Sequence, residues 1–187
     1  MWIEYQRFID QWRRAEDSER LELDTLFNQG FQCQEKDPDR SFALFTRGRD
    51  EATRLGETWW VLFFESWRLS ALNAYSMDFA RALPLAMQLL VRINSPMAQA
   101  HEWRTLIMIN ALYTYISSDA IGYQQEIESG LTQLEAELTD VGTLYVLNNR
   151  RIRFLMHVER WEDAYELAMR ALALVEEDPS VKVWHGA

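Results

Sequence analysis

With 187 residues, 13% aromatic content and 8 tryptophans, the chain can bury a sizeable core, which argues against disorder. Its 29 acidic and 19 basic residues give a net charge of −10, a field that repels a phosphate backbone and makes nucleic acid a poor partner. The 7 glycines and 4 prolines are too few for a turn-rich sandwich or barrel and favour long helices.

Cys33 is the one cysteine, so neither an internal disulfide nor a cysteine metal site is expected, in keeping with a reducing cytoplasm. Residues 1–14 interleave acids and bases and lack the apolar run of a secretion signal. The longest apolar run, 59–64, falls far short of the roughly 20 residues that cross a bilayer, so no membrane role is expected.

In chain order, Trp2, Ile3, Tyr5, Phe8, Ile9 and Trp12 give residues 2–16 one apolar helical face. Leu23, Leu26, Phe27 and Phe31 continue a stripe through 19–36, leaving one long helix and two helices both open. Gly30 inside that pattern marks close packing. Asp37-Pro38 is a cap-plus-proline start for a helix that runs to Leu55, with Gly56 as its stop. The helix predicted over 57–75 is apolar nearly all round, from Trp59 to Leu72, and belongs in the core. Asp78 caps a helix over 79–93 that contains Pro84, where a bend is expected. Ser95-Pro96 starts a helix to about Ser117, and Asp119 caps the next, through Ile127, Leu131 and Leu134. Asp140 opens a helix over 141–158, and Arg160 opens the last long one, to about Glu177. Asp178-Pro179 signals a further start, with Val181, Val183 and Trp184 either folding back as a lid or beginning another unit.

The segments 78–89 and 159–172 share a pattern. Phe79 and Trp161 are followed three residues on by Ala82 and Ala164, then by Leu83 and Tyr165, then by Ala86 and Ala168. Those positions fall on one helical face and form a narrow seam of small residues for close helix contact. Ala43 aligns with them, 39 residues before Ala82, and Ala164 follows 82 residues after it, two steps of 41. A fixed period of this size signals a stacked array of helical pairs.

These residues, with Leu69, Ala74-Tyr75, the Ser95-Pro96 and Asp178-Pro179 ends and the Leu55-Gly56-Glu57 boundary, resemble the tetratricopeptide repeat (TPR)-like family over about residues 20–178. The period is nearer 40 than the family's usual value of about 34, and Ser70 stands in a first-helix glycine slot. The resemblance implies an all-α, right-handed α-solenoid of about four hairpins: an N-terminal helix over 1–18, the array over 19–178 and a tail over 179–187.

The resemblance also implies that the first helix of each pair lines a concave groove that binds the ligand. That places Asn28, Gln32 and Glu35 in the groove from unit one, and Phe64, Trp67, Ala71 and Tyr75 from unit two. Unit three gives Ala111, Tyr115 and Ser118; unit four gives Asn149, Arg153 and His157. An asparagine amide pairs with both backbone groups of an extended peptide, and an arginine clasps a carboxylate. The basic run 148–153, with Arg150, Arg151 and Arg153, either binds an acidic tail or pairs with Glu159, Glu162 and Glu166.

No catalytic constellation stands out. His101-Glu102 lacks a second histidine four residues on, His157 and His185 lack metal-ligand spacing, and Gly48 and Gly56 lack the Lys-Ser/Thr of a phosphate loop. Cys33 reads as a half-buried small residue, and the scattered methionines read as core filler. The expectation is therefore a non-catalytic protein- or peptide-binding module without metal or cofactor. The alternative is a self-association or regulatory domain of a larger signalling or transcription-regulating protein, with the apolar face of Trp2, Phe8, Ile9 and Trp12 as a homodimer surface.

Overall fold

Repeated cap signals and helical periodicity produce an all-helical chain. The computed structural model describes residues 3–95, 98, 101, 103–138 and 141–177, and among them there is no strand. They fall into two compact units, one up to Ile107 and one from Met108. No helix among the described residues is long and apolar enough to cross a membrane. The expected start at Asp178-Pro179, the cap at Asp140 and the side chain of Trp2 lie outside the described residues.

The first unit opens with α1 (Ile3–Arg14) and α2 (Ser18–Cys33). The chain breaks between them because Glu16 takes a left-handed φ of 53°. Asp17 then accepts from the Arg20 amide at 3.0 Å and caps α2. α3 (Pro38–Arg54) starts as expected, with Asp37 accepting from the Arg40 amide at 3.0 Å. Gly56 follows its end at φ 72°, where a side chain would be strained. α4 (Thr58–Ser70) runs straight into a π-helical turn over Ala71–Ser76, which ends where Met77 adopts φ 50°. α5 (Phe79–Arg92) is capped by Asp78, which accepts from the Arg81 amide at 3.1 Å.

The core of this unit is built from rings. Trp60, Phe63, Phe64 and Phe45 are fully buried. Tyr5 and Trp12 each lie 5.2 Å from Trp60, and Phe8 lies 5.2 Å from Trp59. This corrects the expected homodimer surface: Ile9 and Trp12 are buried and Phe8 is half-buried, because α1 spends its apolar face on α4. Close helix approach is set by missing side chains. A Cβ on Gly48 would stand 2.3 Å from the Phe64 ring, and one on Gly30 would stand 2.5 Å from Phe45. α2 therefore packs tightly on α3, and α3 on α4.

The expected buried seam position at Ala43 is corrected. Ala43 is exposed, and α3 instead buries Ser41, Phe45, Gly48 and Ala52. Ser41, a small buried residue of α3, lies 41 residues before the buried Ala82. Phe45 needs the core and turns Ala43 outward.

At the expected start the Ala98 amide donates to the Ser95 side chain at 3.3 Å and Ala98 is helical, Pro96 lies outside the described residues, and α6 (Arg104–Asp119) follows. His101 stands before it, buried, its ring stacked 4.8 Å from Trp59. His101 Nδ1 accepts from the Trp103 amide at 3.1 Å, and Nε2 lies 3.2 Å from the Trp59 carbonyl oxygen. Since Nδ1 accepts, the proton sits on Nε2 and is donated to that carbonyl: a neutral imidazole holds this turn.

The second unit begins within α6 and continues with α7 (Gln124–Glu137), α8 (Val141–His157) and α9 (Trp161–Glu177). Asp119 does not cap α7. Its carboxylate accepts from the Gly122 amide at 2.8 Å and shapes a turn, and α7 starts after Tyr123. Here the core is mainly aliphatic: Ile109, Leu112, Ile116, Ile127, Leu131 and Leu134 are buried. A Cβ on Gly130 would meet Leu112 at 2.8 Å, so α6 and α7 also approach through a glycine notch. Glu159 at φ 62° turns the chain from α8 into α9, and the two helices pack as a hairpin.

Candidate functional site

In the first unit, one face of α2 presents Asn28 and Gln32 to solvent, and Glu35, in the turn just past its end, is also exposed. Helical spacing puts Phe31 beside them, and it is 43% exposed. Phe31 meets half-buried Trp67 edge-on at 5.4 Å, while the other side of Trp67 rests on Phe27, Phe45 and Trp103. Tyr75 sits in the π-helical turn and is 37% exposed. Burial raises its phenol pKa above the ordinary value, and the charge of Glu35 adds to the rise, which places the end of α2 near that turn. The result is a ring pair, Phe31 on Trp67, beside the amides of Asn28 and Gln32, with Tyr75 partly exposed in the π-helical turn. The Asn28 amide nitrogen donates to the Asp24 carbonyl at 2.9 Å and carboxylate at 2.8 Å, which fixes its rotamer.

Four sequence-predicted groove residues are core instead. Phe64, Ala71 and Ala111 are fully buried. Tyr115 is 6% exposed, its ring stacked on Tyr123 at 4.6 Å and 12°. Burial raises the Tyr115 phenol pKa, with smaller contributions from Tyr123 and Glu126. Their helices are surrounded more completely than a two-sided groove model assumes. Ser118 is exposed.

In the second unit, Asn149, Arg153 and His157 are exposed along α8. Arg153 donates to the Tyr113 hydroxyl oxygen at 3.0 Å, and the Arg150 guanidinium lies 4.1 Å from the Tyr113 ring centroid. Arg153 approaches the same ring at 5.1 Å. Neither arginine has a carboxylate within ion-pair distance among the described residues. Burial lowers the Arg150 pKa from its ordinary value; Tyr113 opposes this, and the charge of Arg153 adds to it. Arg151 alone forms an ion pair, and its partner is Glu135 at 2.5 Å, not the glutamates of α9. Tyr113, which organises both arginines, was not legible as a site residue because it lies within an apolar helical pattern.

A cleft of about 420 Å³ lies among α7, α8 and α9. Leu131, Phe154, Leu155 and Leu167 form its apolar lining. Its rim charges pair with each other: Arg160 reaches Asp163 at 2.6 Å and Glu128 at 3.6 Å. A smaller cleft of about 350 Å³ in the first unit is lined by Ala52, Val61, Leu62 and Arg92. Arg92 is already paired with buried Glu65 at 2.6 Å. Among the described residues, no group of three metal-ligating side chains converges. The half-buried Cys33 thiol lies 3.4 Å from the Gly30 carbonyl oxygen, as a small residue inside a helix does.

Comparison with protein-family models, with curated proteins and with solved structures found no match.

Proposed function

We propose that the protein is a non-catalytic protein- or peptide-binding module on a TPR-like, right-handed array of helical hairpins, acting in the cytoplasm. Sequential helix packing and small buried residues at Ser41, Ala82 and Ala164 support the array reading. The observation that carries the binding reading is the open ring pair of the first unit. Phe31 and Trp67 leave ring surface open beside Asn28 and Gln32, with Tyr75 partly exposed in the π-helical turn, so apolar contact and backbone pairing come together. In the second unit, Arg153 and Asn149 provide a separate surface suited to the carboxylates of an acidic segment.

The test is affinity capture from source-cell lysate with three baits: wild type, Gln32→Ala with Tyr75→Ala, and Asn149→Ala with Arg153→Ala. All four side chains are exposed, so helicity should stay near wild type, and melting should fall by no more than the loss of about 1 kcal/mol expected for the Arg153–Tyr113 bond. A protein retained by wild type and lost with either variant supports the reading and shows which surface holds it. Equal retention by all three baits sinks it.

A further inference from the structure

We infer that Arg150, Arg153 and Tyr113 form a site for a phosphate monoester carried by a partner's peptide segment, an assignment that rests on the binding function proposed above. Arg150 and Arg153 stand three residues apart in α8 and are neighbours on its surface. Tyr113 of α6 gathers them. The Arg150 guanidinium lies 4.1 Å from the Tyr113 ring centroid and that of Arg153 lies 5.1 Å from it. Arg153 also donates to the Tyr113 hydroxyl oxygen at 3.0 Å, which holds it at the hydroxyl end of the ring.

The pair is set apart by its lack of an anion. The chain has a net charge of −10, and Arg20, Arg54, Arg81, Arg92, Arg151 and Arg160 each have a carboxylate within ion-pair distance. Neither Arg150 nor Arg153 has one among the described residues. Arg150 donates no hydrogen bond to any described residue, and its Nε–H is buried without an acceptor. Burial strips a guanidinium of water, and buried charges are as a rule paired. Here burial and the charge of Arg153 both weigh against the Arg150 cation.

Two adjacent cations select the ligand. A carboxylate brings one charge and suits one guanidinium. A phosphate monoester brings a charge of about −1.5 to −2 and three acceptor oxygens, so it can bond two guanidiniums from different directions. The acidic chain repels nucleic acid and anionic membranes, so the phosphate is a single group and not part of a polyanion. Asn149 is exposed four residues before Arg153, on the same face, where its amide can pair with the backbone of the segment that carries the phosphate.

Titration of the full chain at neutral pH, read from the NMR signals of the Arg150 and Arg153 Nε–H groups, tests this. The probes are N-acetylphosphoserine amide, N-acetylglutamate amide and inorganic phosphate. The phosphoserine amide should shift both signals saturably and bind at least about tenfold more tightly than the glutamate amide. Arg153→Gln, at an exposed position, and Arg150→Lys, which keeps the charge and removes the fork, should each weaken it at least about fivefold. Circular dichroism should match wild type for both. No saturable shift, or a glutamate amide that binds equally well, overturns the inference. So does binding of inorganic phosphate alone, which would assign the site to a free anion. Phosphatase treatment of the lysate before affinity capture separates the two readings. A partner that still depends on Asn149 and Arg153 after treatment keeps the binding function and overturns the phosphate site. Equal retention by all baits sinks the binding function, and the titration still decides whether the arginine pair takes phosphate.

Discussion

The two units solve the same packing problem with different side chains. The first interlocks rings: Tyr5, Trp12, Trp60 and Phe63 meet at about 5 Å centroid spacing, and Phe45 and Phe64 fill notches left by Gly30 and Gly48. The second packs aliphatic residues such as Leu112, Ile127 and Leu131 and leaves Trp161 and Tyr165 exposed. Rings of fixed shape need matching hollows, so the first unit depends on a few positions without side chains. Aliphatics fill most of the second unit's core around buried Phe154 and Tyr115, while Trp161 and Tyr165 stay on its surface.

Removing the hub of the ring cluster should have the largest effect. Trp60→Ala should lower stability by about 3–5 kcal/mol, read from the urea midpoint. A loss under about 1 kcal/mol would mean that the rings merely fill space. The notch is next. Gly48→Ala gains helix propensity but drives a methyl into Phe64, and a net loss of about 1–3 kcal/mol is expected. An unchanged or raised melting temperature would show that the Phe64 ring yields.

Tyr113→Phe sharpens the contrast from the other side. It removes the acceptor for Arg153 and keeps the ring under Arg150, so a loss of about 1 kcal/mol is expected. Tyr113→Ala should cost clearly more, and equal losses would show that the ring contact contributes nothing. The smallest effect belongs to the exposed cap of α2. The Arg20 amide and guanidinium hold Asp17 below its ordinary pKa of 3.8. Its contribution is therefore fully present above that value and is lost as pH falls through the lower, folded value. Asp17→Ala should flatten the decline of melting temperature in that acid window, and an unaltered acid limb would count against the linkage.

Chemical capping was the most readable layer of the sequence. Asp37, Gly56 and Asp78 mark their helix ends because a short side chain, or none, satisfies local geometry without help from distant residues. The all-helical class followed from the same local signals. Tertiary partners decided the rest. His101 is held ahead of α6 by partners no local pattern reveals: its imidazole bonds a backbone amide beside it and stacks on Trp59, 42 residues away in sequence. The π-helical turn that carries Tyr75 leaves no composition signal in Ala71–Ser76. The candidate site was half legible for the same reason. Periodicity placed Asn28, Asn149 and Arg153 on outer faces, but it could not separate exposed Phe31 from buried Tyr115, since both are aromatics on apolar stripes.

The order of helix packing has a kinetic consequence. α2 meets α3 and α3 meets α4, so most of the first unit joins segments close in sequence. Loops of that length close at little entropic cost, and such low contact order corresponds to folding on the order of microseconds to milliseconds. α1 is the exception: the Trp59 indole nitrogen donates to the Glu4 carboxylate at 2.7 Å across 55 residues. Loop-closure entropy therefore predicts that α1 docks after the α2–α4 hairpins exist and is released first on unfolding.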